Sequence, residues 1–135
     1  MDKVRTVIEW ELLHTGGVPF APAIQVSAAM SWTEHSPLEV HIVFETGGEP
    51  VEWVFARDIL DDAIQDFTET WQGTHDVKAR TQTGTLELWL TSPFGTAVFT
   101  TSAWNVVTFL HKTYELSPRG KEEIFIPDTL EGLLP

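Results

Sequence analysis

An α+β domain of two antiparallel β-sheets, in the order ββββ-α-βββ(β)-α, is what this sequence predicts. Three observations lead there. Apolar and polar residues alternate in run after run, the period of strands with one buried face. Short turns rich in Gly and Pro join those runs, which favours antiparallel neighbours. Two stretches carry a helical period instead, and each directly follows a strand.

The first strand is read from Ile8, Trp10 and Leu12, which alternate with Glu9 and Glu11. Gly16-Gly17 and Pro19 break it. Ile24, Val26, Ala28, Met30 and Trp32 form the apolar side of a long second strand, with Gln25, Ser27, Ala29 and Ser31 opposite. In the third, Leu38, Val40, Ile42 and Phe44 alternate with Glu39, His41, Val43 and Glu45. Gly47-Gly48 turn the chain into the fourth strand, Val51 to Arg57. Asp58 is placed to cap a helix whose apolar face is Ile59, Leu60, Ala63 and Ile64, running to about Phe67. A polar loop, Thr68 to Thr74, follows.

The second half starts with a weaker strand, Val77 to Thr81, and a turn at Thr83-Gly84. Leu86, Leu88 and Leu90 then alternate with Glu87, Trp89 and Thr91. Past the turn Pro93-Phe94-Gly95, Ala97 and Phe99 share one face of a strand, with Thr96, Val98 and Thr100 on the other. Ser102 is placed to cap a second helix, whose stripe is Ala103, Val106, Val107, Leu110 and Tyr114. Pro118 and Gly120 end that unit, a short strand is expected from Glu123 to Ile126, and Asp128 would cap a last helix carrying Leu130, Leu133 and Leu134.

At 135 residues, positions 1–135 make a single domain, large enough to bury roughly two-thirds of the surface its unfolded chain exposes. There is no cysteine, which excludes disulfides and thiolate chemistry and fits a reducing compartment. No apolar run approaches the ~20 residues of a membrane span, and Met1-Asp2-Lys3-Val4-Arg5 leads into a strand pattern, not a secretory signal. A cytoplasmic protein is expected. Eight Lys and Arg face twenty Asp and Glu, a net charge of −12. Such a field repels a polyanion, so nucleic acid is disfavoured as a partner and proteins are favoured.

Trp53-Val54-Phe55-Ala56-Arg57-Asp58-Ile59-Leu60 resembles the Trp-x-Phe-Ala-Arg-Asp-Leu-Leu signature of the SsgA-like proteins, actinobacterial cell-division proteins of the SsgA and SsgB type. Other stretches are similar to that family's segments: Ser36-Pro37-Leu38-Glu39-Val40, Asp76-Val77, Leu88 to Gly95, Phe109-Leu110-His111-Lys112-Thr113 and Pro118-Arg119-Gly120. The resemblance covers about residues 22 to 134. It implies a fold like the whirly single-stranded-DNA-binding proteins, assembled as a bell-shaped homotrimer. It also implies a role in sporulation-specific septum formation, with recruitment to the division septum. Partners would be the tubulin-like division protein FtsZ or other SsgA-like proteins. Trp53, Phe55, Ala56, Arg57 and Asp58 form the structural signature.

The residues themselves point to binding and not to catalysis. The five histidines fall in separate elements, with no spacing of a zinc site. Asp58, Asp62 and Asp66 share a helix face, which reads as a cap and a solvated acidic surface. No nucleophile motif and no phosphate loop is present, so no catalytic residue, cofactor or metal is assigned. Of six tryptophans, Trp10, Trp32 and Trp53 fall on apolar strand faces. Trp71, Trp89 and Trp104 do not, and they are the candidates for a partner contact, since tryptophan anchors dominate interfaces. Arg119, Gly120 and Lys121 add the densest positive spot of the chain, on a turn. The alternative is a single-stranded nucleic-acid-binding module that stacks bases on these aromatics; the charge opposes it.

Overall fold

The computed structural model describes residues 2–15, 24–66 and 69–122. Its elements are β1 (Lys3–Thr15), β2 (Ile24–Thr33), β3 (Glu39–Phe44), β4 (Val51–Ala56), α1 (Arg57–Gln65), β5 (Gln72–Gly73), β6 (Val77–Gln82), β7 (Thr85–Ser92), β8 (Gly95–Ser102) and α2 (Ala103–Leu116). The expected break at Gly16-Gly17 and Pro19, the strand over 123–126 and the helix after Asp128 lie outside the described residues.

The two expected sheets are one. Eight strands pair antiparallel in the order β4-β3-β2-β1-β8-β7-β6-β5. The join is β1, which is longer than its strongest alternation suggested. It pairs with β2 from Lys3↔Thr33 to Leu12↔Ile24, while its last third pairs with β8 from Glu11↔Thr100 to Thr15↔Ala97. The register shifts between Leu12 and His14. Such a bulge bends a strand and lets it serve two neighbours. The pairing also hides edges that two separate sheets would leave open.

The sheet is strongly curled. β3 and β8 are separated in it by two strands, yet Phe44 stacks on Phe99 with centroids 4.1 Å apart and planes 20° apart. Trp10 meets Phe44 edge-on at 6.3 Å. The inward rows Val26, Ala28, Met30, Trp32 and Val40, Ile42, Phe44 are all buried, as the alternation predicts, and so are Leu86, Leu88 and Leu90. Helix α1 adds Ile59, Leu60 and Ala63 to this core, and α2 adds Val106, Phe109 and Leu110. Fully burying one such side chain is worth about 1.5–3 kcal/mol. The Trp32 indole Nε1 donates to the Pro37 carbonyl at 2.8 Å, so this buried polar atom is satisfied.

Local details differ from expectation at the helix ends. Asp58 does not cap α1; the helix begins at Arg57, after Ala56, with no side-chain cap. Arg57 N donates to Leu38 O at 2.8 Å, so the sheet ladder runs into the first helical residue and leaves no room for a capping loop. Asp58 instead lies in the first turn, where a carboxylate suits the helix dipole. Ser102 precedes α2 but makes no side-chain cap bond either. β5, inside the expected polar loop, is a two-residue edge strand. It needs Gly73: φ is +127°, and an added Cβ would stand 2.2 Å from Val77 O.

Candidate functional site

The strand-to-helix junction holds the one fully buried charged side chain among the described residues. Arg57 is fully buried. Its guanidinium lies over the Tyr114 ring at 4.0 Å and near the Trp32 ring at 5.3 Å. Nη1 donates to Thr113 Oγ1 at 3.3 Å, and Nη2 donates to Glu122 Oε1 at 3.0 Å. A buried cation is tolerated only where charge and hydrogen bonds compensate its lost hydration, and here two aromatic faces contribute as well. The Glu122 carboxyl is held below the usual carboxylate range, first by its own backbone amide and then by Arg57. One residue thus ties β2, α1, α2 and the segment after α2 together.

The remaining signature residues surround that node. Phe55 is buried, Trp53 is half-buried, and Ala56 is exposed at the end of β4. Tyr114 donates its hydroxyl to Asp58 Oδ1 at 3.2 Å. Burial, then the Asp61 and Asp58 carboxylates, push the Tyr114 hydroxyl well above its ordinary value.

Arg119 is not a free positive spot. Nη1 reaches Asp61 Oδ2 at 2.8 Å and Asp62 Oδ1 at 2.7 Å, and Nε lies 3.3 Å from Asp58 Oδ2. These three carboxylates raise the Arg119 guanidinium further above its ordinary value, the Asp62 and Asp61 hydrogen bonds contributing most. The acidic face of α1 is therefore paired with the chain that follows α2, while Asp58 and Asp62 stay 37% and 43% exposed. Asp66 has another role, accepting from the Thr70 backbone N and from Gln72 Nε2, each at 3.0 Å. Gly120, at φ +81°, and Lys121 are exposed beyond the clasp.

The three candidate tryptophans split into two places. Trp71 and Trp89 pack edge-to-face, centroids 4.9 Å apart, and both are half-buried. Arg80 covers Trp71 at 4.2 Å and pairs with Glu87 at 3.2 Å. Trp89 Nε1 is buried with no hydrogen-bond partner among the described residues. Trp104 stands apart, 72% exposed at the start of α2 beside the 56%-exposed Val7 of β1. Sequence reasoning passed over Val7, because it lies on the solvent side of the alternation; its size on that side was the available signal.

Sequence reasoning also missed an apolar cavity of about 510 Å³ in the curl of the sheet, lined by Leu12, Phe44, Val51, Trp53, Phe94 and Phe99 among others. Its walls come from both halves of the chain, so no local pattern marks it. Phe94, at the β7–β8 turn, is fully exposed at its rim. Among the described residues, no three His, Asp or Glu side chains converge as a metal site.

What the fold and these surfaces define is a class: a small acidic α+β scaffold, internally braced by one buried arginine, with apolar patches on its outside. Residues 26–122 match the family described as Streptomyces sporulation and cell division protein, SsgA. The chain belongs to that family. It is 36% identical over 123 residues to the sporulation-specific cell division protein SsgB of Saccharopolyspora erythraea, covering 87% of this chain and 84% of that one. The Thermobifida fusca SsgB is 34% identical over 116 residues, covering 81% and 80%. Among solved structures, an SsgA-like sporulation-specific cell division protein from Thermobifida fusca superposes with a TM-score of 0.79 at 30% identity, covering 98% of this chain and 94% of that one. An SsgB structure from work on Streptomyces coelicolor sporulation gives 0.77 at 29%, covering 90% and 93%. A role in sporulation and cell division follows from this membership, and such a role implies protein partners. No helix among the described residues is long and apolar enough to cross a membrane.

Proposed function

We propose that this protein is a non-catalytic adaptor of sporulation-specific septum formation, recruited from the cytoplasm to the septum to position division proteins such as FtsZ or other SsgA-like proteins. The observation that carries the reading is likeness over nearly the whole chain, in sequence and in fold, to proteins named for sporulation-specific cell division. Assembly as a homotrimer would present one weak patch in several copies to a polymer, raising avidity without new contacts. The charge balance supports proteins over nucleic acid: of eight Lys and Arg, Arg57, Arg80 and Arg119 are held in ion pairs within the chain.

Trp104 with Val7 is the patch best placed for such a contact, since both are open to solvent. Trp71 and Trp89 would take part through their shared outer edge, and Lys121 and Gly120 through the turn beside Arg119. The test is capture of purified FtsZ and related division proteins, followed by light scattering, for the unmodified protein and Trp104→Ala. Capture should fall several-fold, while stability stays within about 0.5 kcal/mol because little area is buried there. Undiminished capture would remove Trp104 from the contact surface; no capture by the unmodified protein would refute recruitment of these partners.

A further inference from the structure

β4 is an edge strand. Among the described residues it pairs only with β3, from Glu39↔Ala56 to Phe44↔Val51. Arg57 N donates to Leu38 O, which sets the phase of this ladder. In an antiparallel pair the inward-bonding residues alternate with the others, so Phe55, Trp53 and Val51 bond toward β3. The backbone N–H and C=O groups of Glu52, Val54 and Ala56 point off the edge. Val51 and Val54 are 45% and 43% exposed, unusual for large apolar residues on an edge. Val51 and Trp53 also line the 510 Å³ apolar cavity, whose mouth opens beside this strand. On the opposite face, Glu52 is 58% exposed. From Glu39 to Ala56 the chain has four glutamates and no Lys or Arg.

From these features we infer that the β4 edge is a docking site for an extended peptide segment of a partner, one alternating apolar and basic side chains. The segment adds a strand to the sheet by main-chain hydrogen bonds to Glu52, Val54 and Ala56. Its apolar side chains extend the inner face over Val51 and Trp53 at the cavity mouth. Its Lys and Arg side chains stand beside Glu52 and the other carboxylates of the β3–β4 hairpin. A second copy of this chain is a poorer occupant, since the same acidic hairpin would meet itself in an edge-to-edge pairing. The inference rests on the adaptor reading for its biological meaning, not for its geometry.

The probe is a synthetic peptide of about nine residues, a usual strand length, alternating Lys or Arg with Val or Phe. Amide exchange by NMR should slow at least about tenfold at Glu52, Val54 and Ala56 when the peptide saturates. Val54→Pro removes one outward donor at a position where an edge strand tolerates proline, and should weaken binding at least about tenfold. The same peptide with alternate amides N-methylated should bind as weakly to the unmodified protein, a control independent of how any variant folds. Glu52→Gln should weaken binding and flatten its salt dependence. Unchanged exchange at those amides, or equal binding by Val54→Pro, would overturn the inference. So would edge amides already protected in the free protein, which would mean that the edge is occupied. Division-protein capture by the unmodified protein is measured separately, so losing this docking site would leave the adaptor reading standing.

Discussion

Replacing Glu122 by Ala leaves the Arg57 guanidinium buried without its counter-charge. Arg57 has no exposed surface and the Glu122 side chain only 8%, so water cannot take over the lost partner without opening the structure. Breaking a buried pair from one side costs about 3–5 kcal/mol, a large share of the 5–15 kcal/mol that holds a typical domain together. The two aromatic faces and Thr113 still compensate part of the charge, so the lower end, about 3 kcal/mol, is expected. For a chain of this size that lowers the melting temperature by roughly 10 °C. The double variant Arg57→Met with Glu122→Ala removes both charges and should recover part of the loss, because no uncompensated ion is left. Glu122 also has a pH signature, set first by its own backbone amide and then by Arg57. Glu122 has a folded pKa below its ordinary value of 4.5, so it binds protons more weakly in the folded state. Its contribution is complete above that ordinary value and is lost as the pH falls through the lower folded value. Urea unfolding of the three proteins at neutral and acid pH measures all of this. A cost under about 1 kcal/mol for Glu122→Ala, or a double variant less stable than the single one, would refute the view that Arg57 depends on this partner.

Other substitutions probe separate parts of the frame. Phe44→Ala removes the ring that stacks on Phe99 across the curl and should cost about 3–5 kcal/mol in urea unfolding. Gly73→Ala forces a Cβ into Val77 O at a φ of +127°, so a loss of at least about 1 kcal/mol is expected from thermal melts. Arg119→Gln unclasps three carboxylates, but the side chain is 43% exposed, so the cost should stay under about 1 kcal/mol and shrink in high salt.

The apolar faces of β2, β3 and β7 were legible at once, since burial repeats every second residue whatever the strand's neighbours. The stripe of α2 was legible in part: Ala103, Val106, Leu110 and Tyr114 pack on the core as expected, but the buried Phe109 and Thr113 lie outside the expected stripe and Val107 is only half-buried. The Trp53 to Leu60 string was enough to show a resemblance to the family. Arg57 was not legible: an arginine at a strand end ordinarily marks the way out to solvent, and only the convergence of Trp32, Thr113, Tyr114 and Glu122 makes this one an interior residue. Arg119 read as a loose cation for a similar reason, because its carboxylates lie 57 and more positions away in the chain. The candidate tryptophans lie off the main apolar rows, but that Trp71 and Trp89 pack together while Trp104 stands apart could be read only from the fold.

By itself, then, the sequence determined the order of the longer strands and the helices, most of the faces that turn inward, the acidic balance and the resemblance to SsgA-like proteins. Each is a property of neighbouring residues or of composition, set by backbone periodicity and charge. Only the tertiary structure decided that the sheet is single and curled, that an apolar cavity opens beside β4, and which charges are neutralised within the chain. Those depend on contacts between residues distant along the chain, where the free energy of pairing is won only after the backbone has closed a long loop.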